Sequence, residues 1–136
     1  MKRDVIESFL KVQSQMEEMY NEVSVLSKKS QNDALNEFKL SFVNNLLQEA
    51  NRILEEKYKP FKDFGIFDKE KIPTNSDVVM VLSQYLTCLE NMRIDNIFGN
   101  VKGWFWVVDE KEKPIKTNRP KKLWRIKKWQ KNRKPK

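Results

Sequence analysis

A mainly α protein is predicted: a three-helix antiparallel bundle, then a small C-terminal β-hairpin and a basic tail. Three observations lead there. Apolar residues recur at alternating spacings of four and three in two separate stretches, and the glycines and prolines fall outside them. After Gly99 the composition turns to aromatic and β-branched residues, and then to lysine and arginine. The implied organisation is a helical bundle over 1–98, a hairpin packed on it over 99–118, and a Trp-containing basic tail over 119–136.

The first helix is expected from Arg3 to Ser27. Val5, Phe9, Val12, Met16, Met19, Val23 and Leu26 form a heptad stripe. Ile6, Leu10 and Tyr20 widen it, which favours one helix of a bundle over a two-stranded coiled coil. Polar residues 27–32 break the pattern, and Ser30 with Asp33 resembles a helix-start box. The second helix is expected over 32–57, with Leu35, Phe38, Phe42, Leu46, Leu47, Ala50, Ile53 and Leu54 inward and Asn36, Asn44 and Asn45 among the outward residues. Pro60 ends it, because the residue before a proline is driven out of the helical region.

Residues 59–75 make a loop holding Phe61, Phe64, Ile66, Phe67 and Ile72. Rings in such number favour closure of one end of the core over an exposed docking patch. Pro73-Thr74-Asn75-Ser76-Asp77 then starts a third helix reaching Asp95, with Val78, Leu82, Tyr85, Leu89 and Met92 as its stripe. Trp104 to Val108 and Ile115 to Thr117 are expected to pair across a polar turn, with Lys122 to Ile126 available as a third strand. In such a strand Trp104 and Trp106 share one face.

Composition removes whole classes of chemistry. The 136 residues include no histidine and one cysteine, Cys88, which reads as a small buried residue. Ser-His-Asp and Cys-His catalysis and Cys/His zinc sites are thereby excluded within one chain. The three glycines are scattered, so no phosphate-cradling loop exists. The acidic pairs Glu17-Glu18, Glu55-Glu56 and Asp109-Glu110, and the group Asp63, Asp68 and Glu70, lack the spacing of a metal-dependent active site. A non-enzymatic protein without metal or cofactor is expected. The absence of a signal-like opening, of any apolar run near 18 residues and of paired cysteines points to a cytoplasmic setting.

Charge gives the functional expectation. The net charge of +8 is unevenly spread. Residues 111–136 carry thirteen Lys or Arg against one acid, Glu112, whereas residues 1–110 carry fourteen against eighteen. Basic residues interleaved with indoles suit RNA or single-stranded DNA: cations displace the counterions of phosphates, and indoles stack on unpaired bases. The expected contact residues are Lys113, Lys116, Arg119, Lys121, Lys122, Trp124, Arg125, Lys127, Lys128, Trp129, Lys131 and Arg133. A membrane surface is disfavoured, since at roughly 100° per residue Trp124 and Trp129 fall about 140° apart on a helix and no clean apolar face results. The competing expectation is a helical interaction module, a small subunit or inhibitor whose bundle faces dock on a protein partner or on a second copy. No small-molecule substrate is evident.

Overall fold

The computed structural model describes residues 1–109 and 113–126. It has three helices, α1 (Arg3–Ser30), α2 (Glu37–Tyr58) and α3 (Asn75–Asp95), followed by a three-stranded antiparallel sheet of β1 (Ile97–Asn100), β2 (Gly103–Trp106) and β3 (Ile115–Thr117). This is the mainly α class expected from the sequence. The chain divides into two compact units: Phe9–Leu89, and a discontinuous unit of Met1–Ser8 with the chain from Glu90 onward.

In the Phe9–Leu89 unit, the core is drawn from Phe9, Val12, Met16 and Val23 of α1, from Leu40, Val43, Leu47, Ala50 and Leu54 of α2, and from Val78, Leu82, Tyr85 and Leu89 of α3. The inward face of α2 differs from the expected one. At about 100° per residue, Phe42 lies about 100° and Phe38 about 140° around the helix from Val43. Accordingly Phe38 is 70% exposed and Phe42 46%, their rings meeting edge to face at 4.9 Å.

The start of α2 also differs. α1 continues through Ser30, so Ser30 is not a cap. Residues 31–35 instead pair with the residues leading into α3: Leu35 N donates to Pro73 O (3.0 Å), Asn75 N to Asp33 O (2.9 Å) and Ser76 N to Gln31 O (3.1 Å). The cap is Asn36, whose Oδ1 accepts from Phe38 N and Lys39 N. α3 starts as expected, with Asp77 N donating to Thr74 Oγ1 and Thr74 N to Asp77 Oδ2.

The aromatic loop is held by asparagines of α2 that were expected to face solvent or went unremarked. Asn44, buried, exchanges both amide bonds with Phe67, donating to its carbonyl (3.0 Å) and accepting from its N–H (2.9 Å). Asn51 donates to Gly65 O and accepts from the Tyr85 hydroxyl at 2.6 Å. Phe61, Phe64 and Phe67 are half-buried, Phe64 meets both of the others edge to face, and Phe61 also meets Tyr85. Within α2, Glu55 takes φ 54°, ψ −171°, a region that suits glycine.

In the second unit, β2 pairs with β1 on one side and β3 on the other. The register puts Phe98 opposite Phe105 and Trp104 opposite Thr117. The β1–β2 turn follows from Asn100-Val101-Lys102-Gly103. The Asn100 Oδ1 accepts from Lys102 N (2.8 Å), and Gly103 takes φ +131°. The third strand of the sheet is therefore β1, which precedes the expected hairpin. Residues 123–125 form a single 3₁₀ turn in place of the strand suggested for 122–126. Met1 closes the unit, its nitrogen donating to Val107 O (2.8 Å) and its carbonyl accepting from Asp109 N (2.9 Å).

Candidate nucleic-acid interface

The basic segment after β3 is tied to the last turn of α3. Glu90 and Arg93 lie one turn apart on that helix, both side chains only 6% exposed, and bond as a fork: Nε to Oε1 and Nη2 to Oε2, each 2.7 Å. The remaining donors of Arg93 reach the outgoing chain, at Thr117 Oγ1 (3.0 Å), Asn118 O (2.8 Å) and Arg119 O (3.2 Å). Glu90 Oε2 accepts from Lys121 N at 2.9 Å. A buried ion pair thus fixes the backbone of 118–121 and the Thr117 hydroxyl. Burial pushes the Glu90 carboxyl up, but its bonds to Arg93 and Lys121 N–H and their positive charges outweigh that, so it lies below the ordinary carboxylate range.

Two further contacts carry the segment onward. Lys122 Nζ donates to Asn91 Oδ1 (3.2 Å), and Arg125 forms a bidentate pair with Asp95 through Nε (3.1 Å) and Nη2 (2.9 Å). Cations are well placed there, at the negative end of a helix. Between them the Trp124 indole is 80% exposed, with Lys122 Nζ 6.0 Å from its ring centroid.

The sequence-derived residues therefore separate into groups. Lys122 and Arg125 have their charged ends committed to α3. Lys121 is fixed through its backbone. Arg119 is anchored through its carbonyl, while its guanidinium makes no hydrogen bond or ion pair among the described residues. Lys113 is exposed, its carbonyl accepting from Arg3 Nη2 (2.7 Å). Lys116 stands opposite Phe105, which stacks on Phe98, so it projects from the face of the sheet opposite Trp104 and Thr117. Lys127, Lys128, Trp129, Lys131 and Arg133 lie outside the described residues.

Sequence reasoning did not single out Glu90, Asn91, Arg93 and Asp95 as anchors. The signal was faint: an acid and a base three apart in a predicted helix. Nor did it foresee the open cleft of about 430 Å³ lined by Trp104, Arg119, Leu123 and Ile126. Among the described residues, no group of three or more His, Cys, Asp or Glu is placed to hold a metal, and no helix is long and apolar enough to cross a membrane. No family model, curated protein or solved structure matches the chain.

Proposed function

We propose that this protein binds single-stranded nucleic acid, RNA or DNA, through the surface built by residues 113–126, acting by binding and not by turnover, in the cytoplasm. The observation that carries the reading is Trp124: a large apolar ring held almost fully in solvent on a turn tied to α3 through the Lys121 N–H before it and through the Lys122 and Arg125 side chains on either side of it. Burial of an indole is strongly favourable, so an exposed one on a fixed turn is a docking element in waiting. Residues 113–126 hold six Lys or Arg and no acid, and the two carboxylates bonded to this segment, Glu90 and Asp95, are each already paired with an arginine. The mechanism is phosphate neutralisation with base stacking and little sequence readout.

The test is a salt titration of binding to single-stranded RNA, single-stranded DNA and duplex DNA. Affinity is expected to fall steeply with salt and to favour unpaired strands. Trp124→Ala is expected to weaken unpaired-strand binding by roughly 5- to 150-fold, corresponding to about 1–3 kcal/mol of lost stacking, while leaving thermal stability unchanged. Salt-insensitive binding, or an inert Trp124→Ala substitution, would count against the proposal.

A second reading, a protein-docking module, is favoured by the exposed Phe38–Phe42 pair on α2. It requires association that persists in high salt and is abolished by Phe38→Ser with Phe42→Ser.

A further inference from the structure

Resting on the nucleic-acid reading, we propose that the cleft lined by Trp104, Arg119, Leu123 and Ile126 is a pocket for a single unpaired nucleotide, its base against the Trp104 indole and its phosphate on the Arg119 guanidinium. The residue types argue for this occupant. An indole and a guanidinium plane are the side-chain groups on which splayed-out bases stack, and Leu123 and Ile126 supply apolar walls that a base edge can cover. No carboxylate lines the cleft among the described residues, so none of those side chains repels a phosphate. The volume, about 430 Å³, lies toward the small end of the roughly 300–1,000 Å³ range of ligand clefts.

The guanidinium supplies a second argument. Of the arginines in this segment, Arg125 is neutralised bidentately by Asp95, whereas Arg119 has no partner for its fork among the described residues and lines the cleft while its carbonyl is pinned by Arg93. A fixed backbone carrying an unpaired planar cation suits bidentate phosphate recognition. Trp104 is likewise held in place, being the central-strand partner of both Gly99 and Thr117. Trp124 stands outside this cleft and offers its ring to a second base.

The experiment compares two fluorescently labelled oligomers of equal length and charge by anisotropy: an octamer of uridylate and an octamer of abasic ribose phosphates. The proteins are wild type, Leu123→Glu, Arg119→Ala, Lys116→Ala and Trp124→Ala, all full length and checked for folding by circular dichroism. Leu123 is 45% exposed, so a glutamate there closes the cleft to a phosphate without burying a charge. Wild type is expected to prefer the base-bearing octamer by on the order of tenfold or more. Trp124→Ala should retain part of that preference, and Leu123→Glu should also lose part. Arg119→Ala should weaken the uridylate octamer more than the abasic one, whereas Lys116→Ala, removing an equal charge from the other sheet face, should weaken both alike. Preference abolished by Trp124→Ala and untouched by Leu123→Glu would overturn the pocket. So would equal binding of the two octamers by wild type, which leaves the wider reading standing. Failure of wild type to bind either octamer at low salt sinks both.

Discussion

Replacing Arg93 by methionine tests the anchor on which the interface depends. The substitution keeps the aliphatic stem but leaves the Glu90 carboxylate, 6% exposed, with the Lys121 N–H as its one remaining hydrogen-bond donor among the described residues. It also strips the donors that reach Thr117, Asn118 and Arg119. Removing one member of a buried ion pair typically costs about 3–5 kcal/mol, because the remaining charge is uncompensated. At roughly 3–5 °C per kcal/mol for a chain of this size, Tm should fall by about 10–20 °C. The described tryptophans, residues 104, 106 and 124, belong to the discontinuous unit, so indole fluorescence reports its unfolding while far-ultraviolet circular dichroism follows the helices. The double substitution Glu90→Leu with Arg93→Met removes both charges and should recover most of the stability, since apolar replacements of buried pairs are often neutral or better. It should not recover oligonucleotide affinity, because the backbone of 118–121 stays unpinned. A loss below about 1 kcal/mol for Arg93→Met would refute the claim that the pair is desolvated. Full affinity in the double variant would refute its role in positioning the segment.

Other outcomes follow from single features. Because the Glu90 carboxyl lies below the ordinary range, its contribution should be complete above about pH 4.3 and be lost as pH falls through its lower folded value; Glu90→Gln should flatten that acid limb of the denaturant midpoint. Glu55→Gly should raise Tm by a few degrees, since relief of about 1–3 kcal/mol of backbone strain exceeds the roughly 0.5–1 kcal/mol of added chain entropy; a lowered Tm would show that α2 is regular at this point. Gly103→Ala should cost about 1–3 kcal/mol, although its methyl would meet nothing closer than Lys116 Cε at 3.6 Å, because φ of +131° disfavours any side chain; denaturant unfolding followed by indole fluorescence measures it.

The helices were legible because their periodicity is strong. The α3 stripe of Val78, Leu82, Tyr85, Leu89 and Met92 is buried throughout, and the boundaries of α3 match the Thr74 cap. The α2 face was misread at its start because phenylalanine was weighted as core by type, although the wheel centred on Val43 puts Phe38 outside. β1 was missed because Ile97-Phe98-Gly99-Asn100 is short and follows a helix directly. The signal was in Asn100-Val101-Lys102-Gly103, a turn sequence flanked by aromatics on both sides. For the site, the sequence carried the cationic residue types and the indole, but not their division. That Arg125 is spent on Asp95 while Arg119 has no partner among the described residues depends on how the chain returns to α3, and no local pattern encodes that.

The union of Met1–Ser8 with the chain beyond Leu89 has a kinetic meaning. Met1 bonds to Val107 and Asp109, so this unit is completed only after residues 106 apart in sequence meet. Contacts of such separation slow folding, whereas the Phe9–Leu89 unit is made from one continuous stretch of chain. The mount of Trp124 on Glu90 and Asp95 needs only contacts about 30 residues apart, so in refolding it should form ahead of the Met1 contacts that complete the sheet's surroundings.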